Sequence, residues 1–377
     1  MQGRETQTRM PPVLSRSRRT RRTPFSDRVE AQGVKAYTVY NHMLLPTVFE
    51  SLEADYHHLK RQVQLWDVSC ERQVQVRGPD AQRLVQLLTP RDLSGMSVGQ
   101  CFYTPMVDET GGMLNDPVTL KLAEDRYWIS IADSDLLLWV KGLANGMRLD
   151  AAVDEPDVSP LAVQGPRADD LMAAVFGEDI RSLRFFRFRE VKLDGQTLIV
   201  ARSGYSKQGG FEVYLQDSSF GGALWDKLFE AGQAFQVRAG CPNLIERIEG
   251  GLLSYGNDMT RENTPHECGL GRFCQTADAI GCIGRDALIR ASMEGPQRMI
   301  RGLRIAGEAL TPPTQPWAIH ADDQWVGQVT SAVWSPDFRC NVAIGMLELG
   351  WWDEGSVVEV ETPFGNRQAT VSQLNFS

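Results

Sequence analysis

The chain has 377 residues, 42% of them hydrophobic and 23% charged, with a formal net charge of −9. That length exceeds one ordinary core and points to two or three globular domains. The acidic balance argues against nucleic acid as a partner, and no apolar run is long enough to span a bilayer, so no membrane partner is expected either.

In residues 1–23, Arg4, Arg9, Arg16, Arg18, Arg19, Arg21 and Arg22 face a single acid, Glu5. No apolar segment follows, so this is no secretory signal; it reads as a disordered basic arm, with folded sequence beginning near Pro24. Lys35, Tyr37, Val39 and Asn41 share one face if their run is extended. A lysine beside a tyrosine suits a small zwitterion, as it also suits an exposed lysine beside core tyrosines.

Residues 56–63 carry helical spacing and 72–76 a strand pattern. In RGPDAQRLVQLLTPRD a turn leads into a helix, with Asp80 as the candidate cap and Pro90 as the stop. Strands are predicted over 100–107, 118–122 and 126–131 around the glycine-containing loop DETGGML, and a helix over 135–143. Asn115 and Asp116 stand at the mouth of that hairpin, where Pro117 biases Asp116 to extended geometry. A strand over 159–163 and the turn-helix GPRADDLMAAVFG then repeat the pattern begun at Gly78. From Met299 onward strands dominate, over 301–305, 324–330, 342–346 and 357–361. They read as a β-barrel or sandwich, with the Trp351–Trp352 pair packing it. The fold class expected is α+β, two related halves followed by an all-β module.

Cys70, Cys101, Cys241, Cys268, Cys274, Cys282 and Cys340 are odd in number and irregular in spacing. They read as reduced thiols of a cytoplasmic protein, not as disulfides or zinc ligands, and no metal is expected. Gly95 to Gly99 match G-x-S-x-G, but a helix precedes and a strand follows, the reverse of a serine-hydrolase elbow. Neither a P-loop nor a dinucleotide fingerprint is present.

The most informative stretch is ARSGYSKQGGFEVY, 201–214, a turn between two strand-like runs. Gly204, Gly209 and Gly210 would let backbone approach a flat ligand. Glu212 can accept two parallel N–H bonds, as an amino-pyrimidinone edge such as that of a pterin requires.

Several separated stretches together resemble the aminomethyltransferase family typified by the T-protein of the glycine cleavage system. They are WDVSCERQVQVRGPDA, DETGGMLNDPV, SPLAVQGPRA, SGYSKQGGFEVY, RIEGGLLSYGND, CIGRDAL and VGQVTSAVWSP, in the family's order over nearly the whole chain after Pro24. VEAQGVKAYTVYNHMLLP, RSGYSKQGGFE and AGCPNLIERIEGGLLSYGND are similar to its branch of dimethylsulfoniopropionate demethylases. The T-protein pattern is altered at four places, one of them near Ala132, where the asparagine usual in the strand after the hairpin is replaced. Lys207, Gln208 and Gly209 replace its G-E-D, Asn115 replaces the first of its paired aspartates, and Asn243 stands where its first arginine would be.

The resemblance implies a three-domain cloverleaf. Its parts would be residues 24–68 with 155–253, residues 69–154 with 254–285, and a barrel over 286–377. It implies tetrahydrofolate as methyl-acceptor co-substrate, held by Glu212, Asp116 and Tyr103, and a sulfonium zwitterion as donor, met by Lys35, Tyr37 and Tyr205. Asp116 and Tyr205 would be the catalytic pair. The expected reaction moves a methyl group from dimethylsulfoniopropionate to N5 of the folate, leaving 3-(methylthio)propanoate. An aminomethyl- or dimethylglycine-type transferase and a non-catalytic folate-binding module are the alternatives. The sequence allows a homodimer and does not require one.

Overall fold

The computed structural model describes residue 14 and residues 17–275 and 280–376. One mixed sheet, one antiparallel sheet and a closed barrel organise it. The six-stranded sheet runs Phe188–Leu193, Gln196–Ala201, Gly210–Leu215, Ser159–Gln164, Gln64–Asp67 and Arg238–Ala239, the last strand parallel to its neighbour. The five-stranded sheet runs Ala152–Asp154, Gln73–Arg77, Arg126–Ser130, Val118–Ala123 and Gln100–Tyr103. The barrel closes through Arg298–Ile305, Cys340–Glu348, Gln324–Ser335, Trp317–Ala321, Val357–Thr362 and Gly365–Ser372. Two α+β halves followed by an all-β barrel is the class expected from the sequence.

The two halves repeat one device. Strand Gln73–Arg77 reaches helix Ala81–Leu88 through Gly78, and strand Ser159–Gln164 reaches helix Ala168–Phe176 through Gly165. Both glycines have φ near +125° (128° and 123°), and a Cβ would strike the Asp150 carbonyl at 2.7 Å in one and the Gln62 carbonyl at 2.2 Å in the other. Only glycine fits either turn. Each sheet then buries one face under its helices. Leu171, Met172, Leu224 and Trp225 cover the six-stranded sheet, while Leu84, Leu88, Leu136 and Val140 cover the five-stranded one. The opposite faces meet each other through Cys101, Leu120 and Trp128 on one side and Phe188, Ile199, Ala201 and Tyr214 on the other. Residues facing that sheet-to-sheet junction, or standing at its rim, are the ones that build the site.

Several local expectations shift. The helix expected over 56–63 is Leu52–Leu59, started by Ser51, whose hydroxyl accepts from the Ala54 N–H at 3.1 Å. Asp80 does not cap its own helix; its carboxylate accepts from the Asp150 N–H at 2.8 Å and ties the turn to the neighbouring loop. Strands Trp317–Ala321 and Gly365–Ser372 complete the barrel although short alternation did not announce them. Of the expected disordered arm, residues 1–13, 15 and 16 lie outside the described residues. Ordered contacts nonetheless begin before Pro24: Arg21 pairs with Glu155 at 2.7 Å, and its N–H donates to the His42 carbonyl.

Candidate functional site

Glu212 stands in the middle of the six-stranded sheet. Its paired residues across the neighbouring strands are Ala201 and Ala162, with Trp66 beyond. Paired positions share a face, so this carboxyl has no polar neighbour in its row and points toward the junction between the sheets. It is 6% exposed. Ser203 and Tyr214 (3.0 Å) both donate their hydroxyls to Oε2. Oε1 has no protein donor among the described residues. Burial pushes the carboxyl pKa up, and the two hydroxyls act against that rise.

Asp116 follows strand Met113–Asn115. Asn115 fixes the approach: its Nδ2 donates to the Ala132 carbonyl (3.1 Å) and Ser134 (2.8 Å), and its Oδ1 accepts from the Ala132 N–H (3.0 Å). Tyr103 donates its hydroxyl to Asp116 Oδ2 at 2.9 Å. Burial raises the Asp116 carboxyl to about 7, against the pull of the Tyr103 bond and its own backbone N–H. An acid poised there can take a proton near neutrality.

Tyr205 comes from the turn before Glu212. Its hydroxyl donates to the Leu253 carbonyl at 2.8 Å, and it interacts electrostatically with Asp116. Burial raises its hydroxyl pKa, as it does for Tyr103 and Tyr40. Tyr40, Tyr103, Asp116 and Tyr205 interact with one another electrostatically and all keep some accessible surface. Groups strongly desolvated by surrounding protein yet still touchable by solvent line a recess.

The structure therefore brings together four of the residues singled out from the sequence: Tyr103, Asp116, Tyr205 and Glu212. It puts Lys35 and Tyr37 in other settings. The exposed Lys35 ammonium donates to the Glu50 carbonyl. Tyr37 lines a cavity of about 330 Å³ with Arg18, Arg21, Arg22 and Asp67. Residues 37–40 alternate without interruption, the extra residue of the bulge between Ala36 and Tyr37 being Thr47 of the partner strand; Tyr37 and Tyr40 therefore fall on opposite faces, and Tyr40 is the hairpin tyrosine that interacts with Asp116.

The glycines of the 204–210 turn also act differently from expectation. A Cβ on Gly204 would lie 2.0 Å, and one on Gly210 2.7 Å, from the Gln164 amide. That amide fills the space, donating to the Ser203 carbonyl at 3.1 Å and accepting from Ser206 at 2.8 Å. These glycines admit a side chain of the same sheet, not a ligand. Gly209 has open space beside it.

Two further groups carry no signal in the local sequence. Glu71 presents its carboxyl to both Glu212 and Asp116, and burial followed by those two acids drives its pKa well up. In SCER it looks like a solvated turn residue. The short helix Leu244–Glu249 buries Glu246, Arg247 and Glu249 together. Arg247 grips Asp258 at 2.9 Å and Ser331 of the barrel at 2.7 Å. A buried charge next to a barrel strand cannot be read from LIERIE, because its partners are 11 and 84 residues away.

Among the described residues no group of His, Cys, Asp and Glu side chains is arranged to hold a metal ion, and no helix is long and apolar enough to cross a membrane. Ser97 sits in a turn, its N–H on the Gln100 side chain, and forms no hydrolase elbow.

Comparison with known proteins agrees with this geometry. The GCVT N-terminal domain matches residues 25–278 and the glycine cleavage T-protein C-terminal barrel domain matches residues 298–377. The chain is 60% identical to the dimethylsulfoniopropionate demethylase DmdA of Ruegeria pomeroyi over 95% of this chain and 97% of that protein. It is 30% identical to the aminomethyltransferase of Lysinibacillus sphaericus over 92% and 98%. The crystal structure of the glycine cleavage system aminomethyltransferase T from Bartonella henselae superposes with a TM-score of 0.84 at 25% identity, covering 94% of this chain and 97% of that one. With both domain types matched in order and the two halves and barrel in place, the chain belongs to the glycine cleavage T-protein family.

Proposed function

We propose that the protein is a tetrahydrofolate-dependent demethylase of dimethylsulfoniopropionate. The observation that carries the folate part is Glu212: a buried carboxylate with two donors on one oxygen and the other oxygen left for a ligand. A pterin edge supplies two parallel N–H donors to such a group. The similarity to DmdA, far above that to the aminomethyltransferases, supports a sulfonium donor.

In this reading bound folate supplies N5 as the methyl acceptor. Glu212 anchors the pterin edge and Tyr103 fixes Asp116. The N5 lone pair forms the new N–C bond as the S–CH3 bond breaks, and the bonding pair leaves on sulfur as a neutral thioether. Asp116 takes the proton that N5 loses. Tyr205 offers its ring to the sulfonium, a soft contact suited to a charge that vanishes in the transition state. Holding the partners in line supplies much of the rate, roughly 7–11 kcal/mol in favourable cases. The donor's carboxylate needs a cation. Lys35 takes that role here, exchanging the Glu50 carbonyl for the substrate, with Tyr37 nearby on the same hairpin.

The same reading treats segments 24–68 and 155–253 as one folding unit, 69–154 and 254–285 as a second, and 286–377 as a third. The six- and five-stranded sheets fall within the first two. All seven cysteines are free thiols, which suits a cytoplasmic setting.

The test is one incubation with tetrahydrofolate and a panel of methylated zwitterions, read by mass spectrometry. Dimethylsulfoniopropionate should give equimolar 5-methyltetrahydrofolate and 3-(methylthio)propanoate. Methylenetetrahydrofolate from an aminomethyl or dimethylglycine donor, or no turnover with the sulfonium, would refute the reading.

A further inference from the structure

Glu71 sits where the chain leaves strand Gln64–Asp67 of one sheet for strand Gln73–Arg77 of the other. The crossing is rigid. The Glu71 N–H donates to the Val68 carbonyl at 2.9 Å, and its own carbonyl accepts from Gln73 Nε2 at 2.7 Å. The Cys70 carbonyl accepts from Asn41 Nδ2 at 2.9 Å. The side chain enters the recess beside the Ser130 hydroxyl, which Gln73 Nε2 also holds at 2.9 Å. Around it stand Glu212 and Tyr214 from strand Gly210–Leu215, Asp116 beyond the hairpin, Tyr40 from the N-terminal hairpin, and Cys70 next in the chain. Among the described residues no lysine or arginine interacts with Glu71, Asp116 or Glu212.

Carboxyls crowded without a cation cannot all ionise. Glu212 has two hydroxyl donors and Glu71 one, so Glu212 is the better carboxylate and the proton stays on Glu71. A pterin edge presents two donors, the 2-amino group and N3–H, followed by an acceptor, O4. A single carboxylate satisfies the donors and leaves O4 unserved. Resting on the folate reading above, we propose that Glu71 is a second pterin-positioning residue, a carboxylic acid that donates to O4 while the Glu212 carboxylate accepts from the neighbouring N–H groups.

The experiment is equilibrium binding of tetrahydrofolate, followed by tryptophan fluorescence under anaerobic conditions from neutral to alkaline pH. It compares the wild type with E71Q, E71A and E212A. Glutamine keeps an N–H donor at every pH, so E71Q should bind within about threefold of wild type, while E71A should bind roughly tenfold more weakly. Wild-type affinity should fall on the alkaline side and that of E71Q should not. E71A binding as well as wild type, E71Q as weak as E71A, or identical pH profiles for wild type and E71Q would overturn the inference. If E212A alone loses folate, only the role of Glu71 falls; if E212A also binds like the wild type, the folate reading falls with it.

Discussion

The helix Leu244–Glu249 and the recess beside it both bury charge, and they treat it in opposite ways. Asp258, paired with that helix, accepts from Arg247 (2.9 Å) and the Ser254 N–H (2.9 Å) on one oxygen, and from Thr330 (2.8 Å) and Ser331 (2.6 Å) on the other. Glu249 is likewise closed off, by Tyr56 at 2.8 Å and Ser335 at 2.5 Å. Asp258 and Glu249 hold the barrel to the α+β halves and leave nothing over for a ligand, while Glu246 of the same helix keeps one buried oxygen, Oε2, without a partner among the described residues. Asp116 has Tyr103, Glu71 has Ser130, and Glu212 has donors on one oxygen alone. A buried acid with every lone pair served is architecture, whereas one left short of donors and cations is poised for a substrate.

Breaking the satisfied pair should produce the largest effect, and on stability. Arg247→Ala leaves Asp258 buried without its cation, a loss of about 3–5 kcal/mol. The expected outcome is a large drop in the thermal or urea unfolding midpoint, measured by circular dichroism. A variant that unfolds like the wild type would mean that the barrel is not tied through this pair.

Asp116→Asn should do the reverse, sparing the fold and lowering kcat by about 10²–10³. The acid must be ionised to accept the N5 proton. Wild-type kcat should therefore rise with pH through about 7 and level above it, and the variant should lack that limb. Stability runs the other way. The carboxyl's folded value of about 7 lies above the ordinary 3.8, so its contribution is full below 3.8 and is lost as pH rises through about 7. Activity and unfolding profiles measured across that window would separate the two signs.

Glu212→Ala should come next, raising the folate KM by about 10² with little change in the sulfonium KM, because a charge-assisted pair of bonds is lost from one ligand only. Steady-state kinetics with each substrate varied in turn would show it. Equal losses for both substrates would point to a collapsed recess in place of a lost anchor.

How much of this was legible follows from where the partners lie in the chain. Glu212 could be read because FEVY alternates and a charge on a strand's inward face stands out locally. The two GP turns could be read because strand, glycine and helix follow one another directly. Glu71 and Arg247 could not, since their meaning depends on residues brought in from the other sheet or from the barrel. Tyr40 was hidden because Tyr37 and Tyr40 alternate to opposite faces of one strand, and the local pattern does not say which face meets the other elements. The glycines of the 204–210 turn misled for a related reason. Their sequence asks for close approach, but the approaching group is Gln164, 40 residues before Gly204 in the chain.

The smallest effect tests the N-terminal hairpin. Lys35 is exposed and its ammonium already has the Glu50 carbonyl. Any bond it makes to a substrate carboxylate replaces an existing one and forms in contact with water, where an ion pair contributes about 0.2–1 kcal/mol. Lys35→Ala should therefore raise the KM for the sulfonium acid by no more than about fivefold, leave the folate KM alone, and lose even that difference at high salt, since exposed pairs are screened. A much larger loss would mean that the hairpin closes over the donor and buries the pair. No change at any salt concentration would move the carboxylate contact to another cation, with the arginines around the Tyr37 cavity next in line.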